Sequence, residues 1–498
     1  MESAITCTAN RVYIMSGIFI CLFGIIFNVF LHQFLVQHHV SKTIALKQGS
    51  FMRKFWKKLP FPYEFHAYLF NISNPNEILL GEKPVLKEIG PFVYDVWQEK
   101  INVEDHKEDD TLSYTLKKTF YFNAAKSNGL SDEDEFTLVH YMYLGMANGV
   151  LRSQPTVLPL VSKSIDSLYN KPKSLFVTVM ARKYLFDGYE IDCVGIEEFF
   201  AKVVCNNIKE HWFDYRIKEI KQDFYTTSAW GTFNHTVAWT GRTRINRGIR
   251  KIAEIGKIIE YNNSTNFAKW NDEKCDEFLG TDGTMFHPFI GRQEHLYKVD
   301  NVLSRSFDYQ YDSDVEHNKL RLFRYTATVG ADLDTNPADK CYCLTPDRCL
   351  KDGVFELWKC MNWALVASNP HFYLADPYYN DTVVGLDPNK DKHISTIDVH
   401  PLTGIVIRAN FRVQFNAPLT RQPKYRLLKN VSEALLPIGW TEEKYVTPDP
   451  FVDVIKRLHV FAELEKFIGY AMIAIGLLLF IIGIVFDYME HRKSNPFL

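Results

Sequence analysis

Two sets of side chains in this sequence have the types and spacing for chemistry: the cysteines and a pair of lysines. Seven of the nine cysteines lie between Cys193 and Cys360, and four of those crowd into Cys341–Cys360. Cys341 and Cys343 offer the soft thiolates that zinc favours, but no second Cys pair or His pair completes a tetrahedral set. Disulfides are therefore the reading adopted for the region, and an odd count of seven leaves at least one sulfur without a bridge there. Residues 71–432 carry six Asn-x-Ser/Thr triplets, at Asn71, Asn234, Asn262, Asn263, Asn380 and Asn430, which are acceptors for N-glycosylation. Cystines and glycan acceptors together indicate an oxidising, extracytoplasmic compartment. The lysines are Lys171 and Lys173, in the tip Asn170-Lys171-Pro172-Lys173 between two apolar stretches. An ammonium there can pair with the carboxylate of an anionic lipid, although a basic tip can equally be a solvated turn.

Catalytic chemistry finds less support. There is no Gly-x-Ser-x-Gly elbow, no His-Glu-x-x-His and no phosphate-cradling glycine loop, and the sixteen histidines lack ligand spacing. Two acidic runs, 104–110 and 132–135, do not follow the spacing of a calcium loop and read as solvated turns. No enzyme, cofactor or metal is expected. A net charge of −2 with 23% charged residues shows no bias toward nucleic acid.

What must position these residues is a chain fixed to a membrane at two places. Residues 467–486 run for twenty positions without a charge, enough for a helix to cross a hydrocarbon core of about 30 Å. His491, Arg492 and Lys493 follow as a cytosolic stop. A second apolar run, 12–36, contains Asn28 and His32 but no charge, and is too long for a cleaved signal's core. The expected organisation is a cytosolic tail 1–11, a span 12–36, an extracellular domain 37–466, a span 467–486 and a cytosolic tail 487–498. Cys7 in the first tail is a candidate for palmitoylation.

Within the large domain, residues 44–59 alternate apolar and basic groups as an amphipathic helix does. Residues 83–100, with a break at Gly90-Pro91, then 111–123 and 404–417 alternate with a period of two and predict strands. Residues 136–187 predict helices, interrupted at Pro172.

These pieces in this order resemble the class B scavenger receptors, the fatty-acid translocase-like family, and within it the insect sensory neuron membrane proteins. The likeness rests on IALKQGS (44–50), PFPYEFHAYLFNISNPNEI (60–78), KPVLKEIGPF (83–92), TFYFN (119–123), LFDGYEIDC (185–193), CDEFLGTDGT (275–284), CYC (341–343) and RVQFN (412–416). It implies an α+β fold: a large antiparallel β-barrel ectodomain with an internal hydrophobic tunnel and an apical helical bundle near 136–187, anchored by two transmembrane helices. It implies a receptor or co-receptor for lipid-derived ligands such as pheromones, odorants or fatty acids. Such a receptor would transfer them to the membrane or to an odorant receptor channel, supplied by an odorant-binding protein, or clear them from the sensillar fluid. The alternative within the family is a general scavenger of lipoproteins, carotenoids or dying cells. The apical ligand entrance would fall at Lys171 and Lys173. The family's pairing would join Cys275 to Cys341 and Cys343 to Cys349. A third bridge, to Cys360, lacks its partner, because Ser304 stands near the expected place. Cys193 and Cys205 pair with each other, or one of them takes Cys360, which otherwise stays a thiol; the sequence leaves both arrangements open.

Overall fold

The computed structural model describes residues 2–211, 217–227, 236–334, 336–345, 347–361 and 363–494, so the triplet at Asn234 lies outside the described residues. The chain divides into two units, Met1–Ala45 with Pro448–Leu498, and Leu46–Thr447.

The first unit is a helix pair. The N-terminal helix Glu2–Ile26 passes through a π turn, Phe27–Leu31, into His32–Ile44, and its partner is Asp449–Ser494. Both candidate spans, Arg11–Ile44 and Asp449–Met489, extend beyond the apolar runs themselves. The helices meet across glycines spaced seven apart on each side, Gly17 and Gly24 against Gly469 and Gly476. A methyl group on Gly17 would lie 2.5 Å from Phe480 N, and one on Gly476 2.5 Å from Cys21 N. Small residues permit such backbone approach, which supplies the packing that lipid cannot drive. The two polar groups of the first run are used at this contact. The Asn28 amide bridges Lys466 O and Tyr470 N, each at 3.1 Å, and His32 Nε2 lies 3.1 Å from Ala462 O.

The second unit is built on thirteen strands of one antiparallel sheet. In chain order the strands of the unit are β1 Tyr63–Ile72, β2 Leu86–His106, β3 Thr111–Phe122, β4 Glu135–Val139, β5 Phe176–Met180, β6 Tyr189–Asp192, β7 Ile217–Lys221, β8 Phe224–Thr227 and β9 Thr236–Asn246. They continue as β10 Ile258–Tyr261, β11 Leu296–Asp300, β12 Arg305–His317, β13 Leu320–Ala327, β14 Val354–Glu356, β15 Val366–Ser368, β16 Ser395–Val399, β17 Val406–Leu419 and β18 Ala434–Val446. The sheet order is β10-β9-β3-β2-β1-β18-β17-β16-β13-β12-β11. β10 and β11, at its two ends, are joined by one extended segment. Ile258 N donates to Gly280 O at 2.9 Å, Thr281 N to Tyr297 O at 3.0 Å and Val299 N to Thr281 O at 2.8 Å. The stretch 278–284 thus bridges the two ends of the sheet at Thr281 and leaves the barrel nearly closed.

Three sequence expectations are corrected. Residues 136–187 are not all helix: Glu135–Val139 and Phe176–Met180 pair as a two-stranded sheet around the helices Tyr141–Ser153 and Leu158–Leu168. The β-branched residues Thr137, Val139, Val177, Thr178 and Val179 favour that pairing. The helix expected over 44–59 is shortened to Phe51–Lys57: the preceding helix ends at Ile44, where Ala45 turns extended at ψ 140°, and Gly49 at φ +82° and the extended Ser50 lead into the new one. Ser50 caps it, its side chain accepting from Arg53 N at 3.1 Å. The strand expected to break at Gly90-Pro91 instead runs through as β2. A register shift against β1 between Ala67 and Leu69 absorbs the irregularity.

Candidate functional site in the barrel interior

Alternation along each stave decides what faces inward. On β1 these are Tyr63 and Phe65; on β2, Gln98 and Lys100; on β3, Tyr114, Leu116 and Lys118; on β17, Ala409, Phe411, Val413 and Phe415; on β18, Thr441, Glu443 and Tyr445. They enclose a cavity of about 290 Å³, sealed on one side by Met52, Phe55, Trp56 and Leu59 from the short helix and the residues after it. The register places Phe65 opposite Glu443 and Glu443 opposite Phe411, so aromatic and charged groups share one row.

Three ion pairs lie in this chiefly apolar lining. Lys100 Nζ, in a side chain only 1% exposed, sits 3.1 Å from Asp282 Oδ2, 3.4 Å from Thr284 Oγ1 and 4.3 Å from the centre of the Trp56 ring. Lys118 Nζ lies 2.6 Å from Glu443 Oε1. Lys298 Nζ lies 3.1 Å from Asp300 Oδ2 and 3.6 Å above Phe411. Burial opposes ionisation of Asp282, but Lys100 and hydrogen bonds from Thr284 and Tyr114 outweigh it and hold the carboxyl below its ordinary range. Asp300 is held low in the same way by Lys298 and by the Leu303 amide. Burial pulls on Lys118 in the other direction, and Glu443 and Tyr63 overcome it to keep the ammonium above its usual value. Two polar atoms of lining residues are covered and do not face the open space. Among the described residues no hydrogen-bond partner reaches Trp56 Nε1 or Tyr309 Oη, in side chains 6% and 0% exposed.

The acidic run 104–110 finds its partners outside the cavity, at the end of the β2–β3 hairpin. Asp105 pairs with Arg53 at 3.1 Å and with Arg247 at 3.3 Å, Asp110 with Arg247 at 3.2 Å, Asp109 with Arg244 and Glu104 with Arg242. These bonds tie the hairpin to β9 and to the short helix, which is a structural role rather than an ion site.

Lys171 and Lys173 are exposed, in the turn after the helix Leu158–Leu168, and neither is part of the cavity lining. Asn170 and Lys171 both have positive φ, and Lys171 N donates to Asp166 O at 2.6 Å, closing the helix end. Asp166 also receives Arg426 at 3.1 Å, so the turn is held while its two ammonium groups stay outside. Disulfides join Cys193 to Cys205, Cys275 to Cys341 and Cys343 to Cys349, while the Cys360 thiol donates to Leu357 O at 3.3 Å. Of the described glycan acceptors, Asn262, Asn263 and Asn430 are exposed. Asn71 and Asn380 are half-buried, with Asn71 Oδ1 accepting from Thr137 N at 2.9 Å.

Sequence reading passed over Lys100, Lys118, Asp282, Lys298, Asp300 and Glu443. The signal was present as parity: Lys118 falls in step with Tyr114, Leu116 and Phe120, whereas Lys117 does not.

Two histidines act as caps and carry an acid sensitivity. His140 Nδ1 accepts from Tyr143 N at 3.3 Å, and His393 Nδ1 accepts from Asn389 N at 3.0 Å beneath a stacked His371 ring 4.4 Å away. Burial holds His140 at about 4, and burial reinforced by His371 does the same for His393. Both folded values lie below the unfolded one of about 6.5, so their contribution is complete above that pH and is lost as pH falls toward 4. The unfolding free energy from denaturant titration should drop across this window, by up to about 1.4 kcal/mol per pH unit per histidine. His140→Asn, which keeps an acceptor but cannot titrate, should flatten the slope; an unchanged slope would refute the assignment.

The sequence profile of the CD36 family matches residues 15–486. The chain is 37% identical to "Sensory neuron membrane protein 1" of Apis mellifera, over 92% of this chain and 86% of that protein. It is 35% identical to the protein of the same name from Helicoverpa armigera, over 95% and 90%, and 32% identical to that from Manduca sexta, over 96% and 91%.

Proposed function

The chain belongs to the CD36 family and is a membrane protein with two spans, and from that premise we propose that it is a receptor or co-receptor. It holds hydrophobic, lipid-derived ligands inside its barrel and delivers them to the membrane or to an odorant receptor channel beside it. The single observation that carries this reading is the nearly closed barrel whose interior is a cavity of about 290 Å³ lined chiefly by apolar side chains. The names of the relatives place those proteins in sensory neurons, which makes pheromones and odorants the ligands proposed for this chain, taken up from an odorant-binding protein or cleared from the surrounding fluid. The barrel unit is extracellular and both tails are cytosolic in this reading, supported by three disulfides and by glycan acceptors that stand exposed. No catalysis is assigned.

Lys171 and Lys173 are proposed to gather ligands that carry a carboxylate before they enter. Lys171→Ala with Lys173→Ala should slow uptake of a fluorescent fatty acid several-fold while leaving an uncharged analogue unaffected. Equal uptake of both probes in the double variant would remove these lysines from the path. The cavity itself is tested by a photoactivatable fatty alcohol bound to the full-length protein in detergent, with the labelled peptides identified by mass spectrometry. Label on β17, at Phe411 or Phe415, and competed by unlabelled alcohol, is the expected result. Label confined to the helix pair would overturn the proposal.

A further inference from the structure

The short helix Phe51–Lys57 has two faces of different chemistry. Met52, Arg53 and Trp56 are buried, and Met52 and Trp56 belong to the seal of the cavity. Phe51, Lys54 and Lys57 are exposed, as is Lys58 after them, and Phe51 keeps 54% of its surface in the open. The sequence has no acid between Glu2 and Glu64, so the four lysines from Lys47 to Lys58 have no carboxylate interleaved with them. Lys58 finds Glu99 at 3.3 Å, whereas Lys47, Lys54 and Lys57 form no ion pair among the described residues. Aromatic rings continue this edge. Phe51 lies 6.3 Å from Phe55, Phe55 6.0 Å from Phe61 and Phe61 6.0 Å from Tyr445, centre to centre, and the next residue, Val446, is 42% exposed. Leu46 N donates to Arg247 O at 3.0 Å, which brings the turn after β9 alongside. That turn adds Ile249, 44% exposed, and the exposed bases Arg250 and Lys251, the latter paired with Glu254 at 2.8 Å.

Both ends of this ledge lead directly into the membrane helices. The first candidate span ends at Ile44, seven residues before Phe51, and the second begins at Asp449, three residues after Val446. At about 3.5 Å per extended residue, Phe51 lies within about 25 Å of the one and Val446 within about 10 Å of the other. Aromatic rings and lysines are the residue types that settle at a bilayer surface. The rings enter at headgroup level, and the ammonium groups meet lipid phosphates while their stems lie along apolar surface. We propose that the ledge is a docking surface for the phospholipid bilayer that the two spans cross, with Phe51 and Ile249 entering the headgroup layer and Lys54 and Lys57 on lipid phosphates. The proposal concerns the outer face of the barrel unit and does not depend on what the cavity holds. Lipid then covers the face of the short helix that the protein leaves bare, while its other face seals the cavity.

The test is photocrosslinking of the full-length protein in nanodiscs of phosphatidylcholine and phosphatidylglycerol. A benzophenone amino acid replaces Phe51 in one sample and Leu80 in another, and adducts are identified by mass spectrometry. Leu80 is 77% exposed and follows the far end of β1, a strand of ten residues that begins at Tyr63 and spans about 30 Å, so it reports the background. Position 51 should yield phospholipid adducts at least severalfold above position 80. Lys54→Glu with Lys57→Glu should lower the adduct at position 51 severalfold, because two attractions of the size lysines have for an anionic surface become repulsions. Neither lysine has an internal partner to lose, so thermal unfolding should be unchanged. If the reversal does unfold the protein, Lys54→Gln with Lys57→Gln replaces it, with a smaller loss expected. Lipid adducts no more abundant at position 51 than at position 80 would overturn the docking surface. So would an adduct at position 51 made chiefly to a second copy of the chain, or a lipid adduct that the folded lysine variants leave unchanged.

Discussion

Replacing Gly280 with alanine should prevent the barrel from closing. Gly280 has φ +94°, and a methyl group there would lie 2.0 Å from the carbonyl oxygen of Tyr297. That oxygen is the acceptor for Thr281 N, and Gly280 O is the acceptor for Ile258 N, so the clash falls where β10 and β11 are joined. A backbone obstacle cannot rotate away as a side chain does, and relief requires the stave to leave one of its neighbours. Overpacking typically costs about 1–3 kcal/mol, and against a backbone obstacle the expected loss is at the top of that range or beyond, about 3 kcal/mol or more. Gly129, at φ +83° with no atom within 4 Å of an added methyl group, supplies the comparison. Gly129→Ala should cost only the left-handed penalty of about 1–2 kcal/mol. The two variants are compared by yield at the cell surface and by thermal unfolding of what can be purified. Similar behaviour would show that the segment 278–284 does not hold the barrel shut.

Asp282→Ala should be nearly as damaging by a different route. It leaves the Lys100 ammonium, 1% exposed, with Thr284 and two aromatic rings as its only close company among the contacts described above. Removing one member of a buried pair typically costs about 3–5 kcal/mol, because the remaining charge keeps its desolvation and loses its compensation. Replacing both members by apolar groups of similar volume, Lys100→Met with Asp282→Leu, should recover most of that loss. The denaturant midpoints of the single and double variants decide the matter. A double variant no more stable than Asp282→Ala would mean that the carboxylate acts through its bonds to Thr284 and Tyr114 rather than through Lys100.

How far this structure can be read from its sequence follows from the range of the forces involved. The membrane helices are local facts: a long uncharged run needs no partner to declare itself, and both were legible. So were β3 and β17, whose alternation is uninterrupted over most of their length. β4 and β5 were not, because Phe136–Val139 runs directly into the helix that starts at Tyr141, and an apolar run of four residues has no period to measure. The helix over 44–59 failed for a related reason. Its apolar spacing was sound, but spacing does not report the extended Ala45 or the positive φ of Gly49. The charged interior lay further from reach. A lysine within an alternating strand is ordinarily assigned to the solvent side, and only the partner segments, some 180 residues away for Lys100 and Asp282 and 325 for Lys118 and Glu443, show that it points inward. The pairs Cys275–Cys341 and Cys343–Cys349 and the entrance role of the lysine tip came through family resemblance, which conveys long-range pairing that spacing alone does not, whereas Cys193 with Cys205 stayed open.

One consequence of the topology concerns how the protein is made. β1 pairs with β18, and the first helix packs on the last across its glycines, so each unit is completed by the two ends of the chain. About 360 residues separate the end of β1 at Ile72 from the start of β18 at Ala434. At the usual pace of synthesis, roughly 5–20 residues per second, β1 waits roughly 20–70 s for the neighbour that covers its edge. During that interval its backbone groups and the apolar face meant for the cavity must be shielded by something other than the finished protein. Assembly is therefore a post-translational event. A ribosome stalled before β18 would leave a chain with its sheet open on one side and its first membrane helix unmatched, the form that quality control would be expected to retain.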